Sequence, residues 1–135
     1  FAVDTPHGLM VPKIRNVNEM SIQKIGEELK KTSKLCRELK IDKKEFFGGS
    51  MTISSLGGIG GTHFTPIINP PEVAILGVGK NFDRLVKENG KIVSRKILPI
   101  SLSYDHRIID GAEGARFCVY LGKCLGKDFA FKLAV

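Results

Sequence analysis

The stretch Glu72-Val73-Ala74-Ile75-Leu76-Gly77-Val78-Gly79 restricts the fold more than any other. A strand with one wet face alternates apolar and polar residues. This run does not alternate, so it reads as a central strand buried on both faces. Such a strand needs neighbours on both edges and cover above and below. The rest of the sequence can be searched for segments that supply them.

Two segments have helical spacing. From Ser21 to about Lys40, the residues Ile22, Ile25, Leu29, Cys36 and Leu39 recur at helical intervals, with Ser21 as the N-cap. Cys36 on that stripe reads as a small buried hydrophobe. From Ala112 to Lys127, Ala115, Phe117, Val119, Leu121 and Leu125 are apolar, and Asp110 precedes Glu113 in a capping-box pattern. Strand candidates are Ser50 to Ser54, which alternates, and Lys91 to Ser103, long enough for one or two strands. Phe1 to Arg15 gives two short extended pieces around a Thr5-Pro6-His7-Gly8 turn, with His7 exposed and Val11-Pro12 at an edge or strand start. Ile41 to Gly49 is a connection, and Phe64 to Pro71 is apolar and stopped by Asn69-Pro70-Pro71. Lys80 to Gly90 is expected to be a polar excursion closed by Asn89-Gly90, a hairpin-turn pair. Together these predict a single α/β unit, an α+β sandwich with a mixed sheet and flanking helices.

The net charge of +7 invites an anionic partner, but much of the excess falls on or just after the first helix. Lys24, Lys30, Lys31, Lys34 and Arg37 there read as a solvated face. Aromatic residues are not interleaved with them, so a nucleic-acid surface is not expected. No run is long enough to cross a bilayer, and no signal peptide is visible, so no membrane role is expected. Cys36, Cys118 and Cys124 form no CxxC pair, which predicts reduced thiols in a cytosol-like compartment.

The chemistry concentrates in Ser103-Tyr104-Asp105-His106-Arg107-Ile108-Ile109-Asp110-Gly111, at the end of the apolar run Leu98 to Leu102. The three histidines, His7, His63 and His106, are scattered and form no HExxH, so no metal is expected. His106 can serve as a general base near neutral pH or as a satisfied structural histidine. Asp110 can cap the following helix, and Asp105 can pair locally with Arg107. Acyl transfer also needs a donor to the developing oxyanion. Ser54, at a strand end beside the Gly57–His63 stretch, suits that task. The glycines there do not have the spacing of a phosphate loop.

Asp105-His106-Arg107-Ile108-Ile109-Asp110-Gly111 resembles the DHRxxDG signature of the dihydrolipoamide acyltransferases, the E2 components of 2-oxo acid dehydrogenase complexes. Thr52-Ile53-Ser54-Ser55-Leu56-Gly57-Gly58, Phe64 to Gly77 and the Asp4-Thr5-Pro6 opening resemble the same family in the same order. HxxxDG alone also occurs in chloramphenicol acetyltransferase and in condensation domains, but the full set resembles the E2 family. The pattern is nearest to the pyruvate dehydrogenase type.

The resemblance implies a chloramphenicol-acetyltransferase-like fold and transfer of an acetyl group between a lipoyl (dihydrolipoamide) thiol and coenzyme A. His106 is then the base, Ser54 the oxyanion donor and Asp110 the motif carboxylate, with His106 and Ser54 drawn from adjacent subunits. It also implies a homotrimer, joined through Phe129 to Val135 into a cubic or icosahedral core, and E1 and E3 partners engaged through domains this sequence does not include. A cytoplasmic location is expected, with the mitochondrial matrix as the alternative. Residues 1–135 read as the C-terminal portion of the catalytic domain, incomplete at its N-terminus. The competing expectations are a non-catalytic oligomeric scaffold and an acyltransferase of the succinyl or branched-chain complexes.

Overall fold

The computed structural model describes residues 1–126 and Phe129. The expected trimer-joining tail from Phe129 to Val135 therefore lies, apart from its first residue, outside the described residues. Val3–Thr5 (β1) and Gly8–Met10 (β2) pair antiparallel across the expected turn. Thr5 Oγ1 donates to the Gly8 carbonyl at 2.6 Å and accepts from the His7 N–H at 3.1 Å, which leaves His7 exposed. Pro12 follows the second strand and lies outside it, fully buried, which corrects the expected strand-start position. With no N–H to satisfy, proline tolerates that burial.

Ile22–Arg37 (α1) starts where expected: the Ser21 side chain accepts from the Lys24 N–H at 3.2 Å. Ile25, Leu29 and Cys36 turn inward, and the helix packs on β1, where Val3 and Thr5 are buried. The helix ends at Arg37, three residues before the expected limit. Leu39 adopts φ 53°, its N–H donates to the Cys36 carbonyl, and the Lys40 N–H donates to the Leu35 carbonyl. This bond pattern is a Schellman cap with leucine where glycine is usual. The connection after it contains a short 3-10 turn over Lys43–Phe46, capped by Asp42.

Thr52–Ser55 (β3), Ala74–Val78 (β4) and Ile100–Tyr104 (β7) form one sheet in the order β3-β4-β7. β3 and β4 are parallel and β4 and β7 antiparallel, so the sheet is mixed, as expected. Ala74, Ile75, Leu76 and Gly77 are all buried, the behaviour expected of the unbroken apolar run. Ala2 donates from its backbone to Ile53 at 3.0 Å, which places the start of the chain beside β3. A parallel pair needs a crossover. Here it is the glycine-rich stretch and the extended Phe64–Pro71 segment rather than a helix. That segment crosses close over β4, where a Cβ on Gly77 would lie 3.0 Å from Phe64 Cζ and 3.2 Å from Pro66 Cδ. Ser101 Oγ secures it by donating to the Phe64 carbonyl at 2.6 Å.

Phe82–Glu88 (β5) and Lys91–Ile97 (β6) form a separate antiparallel hairpin. The expected polar excursion is thus mostly a strand. Its turn is Asn89-Gly90 as read, with φ 50° and 79°, the positive pair a type I′ turn requires. Charged side chains hide the strand pattern because they pair across the hairpin, Glu88 with Arg95 and Asp83 with Lys96. Gly111–Cys124 (α2) then packs on β7.

Candidate active site

The polar turn grows directly out of β7. The Asp105 N–H still donates to the Val73 carbonyl at 2.8 Å, extending the ladder one residue past Tyr104. The Asp105 carbonyl then accepts from both Ile108 and Ile109 N–H groups at 3.0 Å, closing a single tight turn. Its side chain fixes the same turn: Oδ1 accepts from the Arg107 backbone N–H at 3.0 Å, and Oδ2 accepts from Arg107 Nη2 at 2.6 Å. Hydrogen bonds from the Arg107 guanidinium, and then from its backbone N–H, lower the Asp105 carboxyl to about 2. The expected local pair is therefore present.

Asp110 closes the turn. Its Oδ1 accepts from the Glu113 N–H at 2.7 Å, the capping bond at the start of α2. Between these two anchored carboxylates, His106 is exposed, with no side-chain hydrogen bond among the described residues. Its ring lies beside that of Tyr104, with centroids 5.7 Å apart and planes tilted by 41°. Tyr104 in turn rests on α2, where a Cβ on Gly114 would lie 2.8 Å from Tyr104 Cε1.

Ser54 is positioned by β3, directly opposite Gly77 of β4. It lines an open groove of about 310 Å³ with Thr52, Phe64, Pro66, Ile68 and Ile75, mostly apolar. Thr52, on the same face two residues earlier, is 2 % exposed and donates from Oγ1 to Glu72 Oε2 at 2.5 Å. The Ser54 hydroxyl, like His106, has no side-chain hydrogen bond among the described residues.

Ser54 and His106 do not meet within one chain. Ser54 is level with Gly77, while His106 lies two residues beyond the Ala74–Tyr104 pair on the far strand. At about 3.3 Å per residue and 4.8 Å per strand, their backbones stand roughly 15–20 Å apart. Asp110 is near His106 in the turn but is occupied with the helix cap. Sequence reasoning missed Tyr104, Gly114 and Glu72. The alternation Ile100, Leu102, Tyr104 put the tyrosine on one face of a strand aimed at His106, and that signal was available.

The mixed sheet thus carries a serine on one edge strand, β3, and an exposed histidine just past the end of the other, β7. The model of the family described as 2-oxoacid dehydrogenases acyltransferase (catalytic domain) matches residues 1–130. The chain belongs to that family. A dihydrolipoyllysine-residue acetyltransferase component of pyruvate dehydrogenase complex from Haemophilus influenzae is 56 % identical over 124 residues, which cover 92 % of this chain and 22 % of that protein. Among solved structures, the Azotobacter vinelandii dihydrolipoamide acetyltransferase superposes with a TM-score of 0.91 at 49 % identity, covering all of this chain and 55 % of that one. The cubic core of the pyruvate dehydrogenase multienzyme complex gives 0.91 at 48 % with the same coverage. The chain thus spans about half of these solved chains and under a quarter of the Haemophilus protein. The Azotobacter structure was determined to investigate a serine, a histidine and an asparagine in that enzyme's catalytic mechanism. Their spacings are those of Ser54 to His106 and His106 to Asp110, with aspartate here in place of asparagine.

Proposed function

We propose that this chain carries both halves of a shared active site that transfers an acetyl group between coenzyme A and a dihydrolipoyl thiol. The observation that carries the reading is the Ser54, His106, Asp110 spacing, which coincides with the trio studied in the Azotobacter acetyltransferase. His106, exposed and with no side-chain hydrogen bond among the described residues, accepts the proton of the coenzyme A thiol. Ser54 donates a hydrogen bond to the thioester oxygen as negative charge develops there. A new carbon–sulfur bond forms as the old one breaks, and His106 returns its proton to the departing sulfur. Thiol and thioester stand on both sides of the reaction, so the protein contributes chiefly positioning and proton transfer. The apolar groove beside Ser54 suits the hydrocarbon arm of a lipoyl group, which when bound supplies the other sulfur. Asp110 holds the start of α2 and with it the turn that presents His106.

On this reading the separation of Ser54 and His106 is bridged between copies, with His106 of one copy meeting Ser54 of another. A trimer within a cubic core, such as the relative's core described above, is the assembly proposed. E1 and E3 partners and a cytoplasmic location follow from the same reading. The test is acetyl transfer from acetyl-CoA to dihydrolipoamide by the full-length protein. His106→Ala should lower kcat by about 10²–10⁴-fold, and Ser54→Ala by about 10²–10³-fold. Unchanged rates in an assembled variant would remove that residue's role, and an assembled but inactive wild type would leave a scaffold.

A further inference from the structure

Among the described residues, the base assigned above has no hydrogen-bonded partner to orient it. Other members of its turn are held: Asp105 by the β4 ladder and Arg107, Asp110 by the Glu113 N–H. Among the described residues, the ring beside the imidazole is that of Tyr104. That ring is tightly seated. A Cβ on Gly114 would stand 2.8, 3.1 and 3.3 Å from its Cε1, Cζ and Oη, all three closer than ordinary van der Waals contact. Gly114 is the buried residue of α2, and its missing side chain is what admits the ring. At the helix start, a Cβ on Gly111 would meet Tyr104 Oη at 3.8 Å and His106 Nε2 at 3.9 Å. Tyrosine ring, imidazole and first helical turn therefore share one small contact region.

We propose that Tyr104, seated on Gly114, is the positioning residue that sets the orientation of the His106 imidazole. The mechanism is steric. The β7 backbone fixes Tyr104, the helix backbone at Gly114 bounds one side of its ring, and the ring bounds the sweep of the imidazole. A base must reach the thiol within hydrogen-bond distance, so an unbounded rotamer lowers the fraction of productive geometries. Ring shape rather than the hydroxyl carries this role. Gly114 acts one step further back, as the space that lets Tyr104 sit where it does.

The proposal rests on His106 being the base, and the experiment separates the two. In full-length, assembled enzyme, acetyl transfer is measured for His106→Ala, Tyr104→Phe, Tyr104→Leu, Tyr104→Met, Gly114→Ala and Gly114→Ala/Tyr104→Leu. Tyr104→Leu and Tyr104→Met should lower kcat by about 10–100-fold with KM for coenzyme A within twofold, since misplacement by an ångström costs up to that much. Tyr104→Phe should restore at least half of the wild-type kcat. Gly114→Ala should lower kcat in the wild-type background and add nothing in the Tyr104→Leu background, because the two act through one seat. Full kcat in assembled Tyr104→Leu or Tyr104→Met overturns the proposal, as does Tyr104→Phe impaired as deeply as they are. Full activity in His106→Ala removes the base assignment instead. Should Tyr104→Leu fail to assemble, the unbranched and more adaptable Tyr104→Met decides.

Discussion

Ser54 pairs with Gly77 on one side of β4, and His106 follows two residues after Tyr104, which pairs with Ala74 on the other side. Two groups that, in the proposed function, both act on one thioester are thus held at diagonally opposite corners of a three-stranded sheet. Mixing tests the consequence. Ser54→Ala and His106→Ala chains, each inactive alone, should regain activity when unfolded and reassembled together. In a symmetric ring, random mixing restores a wild-type pair at roughly a quarter of the sites. Acetyl-transfer rates at the level of the separate variants would place both residues in one chain's site.

The Asp105–Arg107 pair predicts a defined pH window. The folded carboxyl lies near 2, held down by Arg107, whereas an unfolded aspartate titrates at about 3.9. The folded state therefore binds fewer protons in that interval. The contribution of the pair is fully present above about pH 4 and fades as pH falls through the folded value near 2. Urea titrations of wild type and Arg107→Ala should differ by a constant amount from pH 5 to 8. The two curves should converge between pH 4 and 2. A difference that persists at pH 2 would assign the effect of Arg107 to packing.

Thr52 gives the largest stability effect expected on β3. It is almost wholly buried, and its hydroxyl donates to Glu72 at 2.5 Å. Thr52→Val keeps the shape but leaves a carboxylate oxygen without that donor, at a cost of about 1–3 kcal/mol. Glu72→Leu in the Thr52→Val background should recover part of the loss, because both polar partners are then gone. Urea midpoints at constant slope measure both. Since Thr52 and Ser54 share a face of β3, kcat should fall in Thr52→Val with less change in KM.

What the sequence makes legible follows from where the signal is local. Ser21 and Asp110 cap their helices as read, because a cap needs only a side chain and an N–H a few residues on. Val73 to Gly79 gives the central strand because burial on both faces leaves an unbroken apolar run. Asn89-Gly90 gives the turn, but β5 stays hidden because cross-strand ion pairs, not burial, accompany it. Two-stranded arms bury little, and Leu85 and Ile92 remain 72 % and 74 % exposed. Ser54 and His106 are each legible at a strand end, but the distance between them depends on the sheet order β3-β4-β7, which no local pattern encodes. Tyr104 on Gly114 is likewise a contact between strand and helix, formed only when α2 returns to β7.

Leu39 marks a helix end that the sequence places three residues too late, and it offers a stabilising substitution. Its φ of 53° costs a leucine roughly 1–2 kcal/mol relative to a right-handed conformation, a cost glycine does not bear. Leu39 is exposed, so little buried area is lost with its side chain. Glycine gives back about 0.5–1 kcal/mol through the greater freedom of its unfolded chain. The bonds from Leu39 N to Cys36 O and from Lys40 N to Leu35 O use backbone atoms only, so glycine retains both. Leu39→Gly should therefore raise stability by about 0.5–1 kcal/mol, and Leu39→Val should lower it, because a β-branched residue fits the left-handed region poorly. Thermal unfolding of the two variants against wild type decides it. A lower midpoint for Leu39→Gly would mean that the leucine side chain contributes more through contact at the helix end than its backbone strain costs.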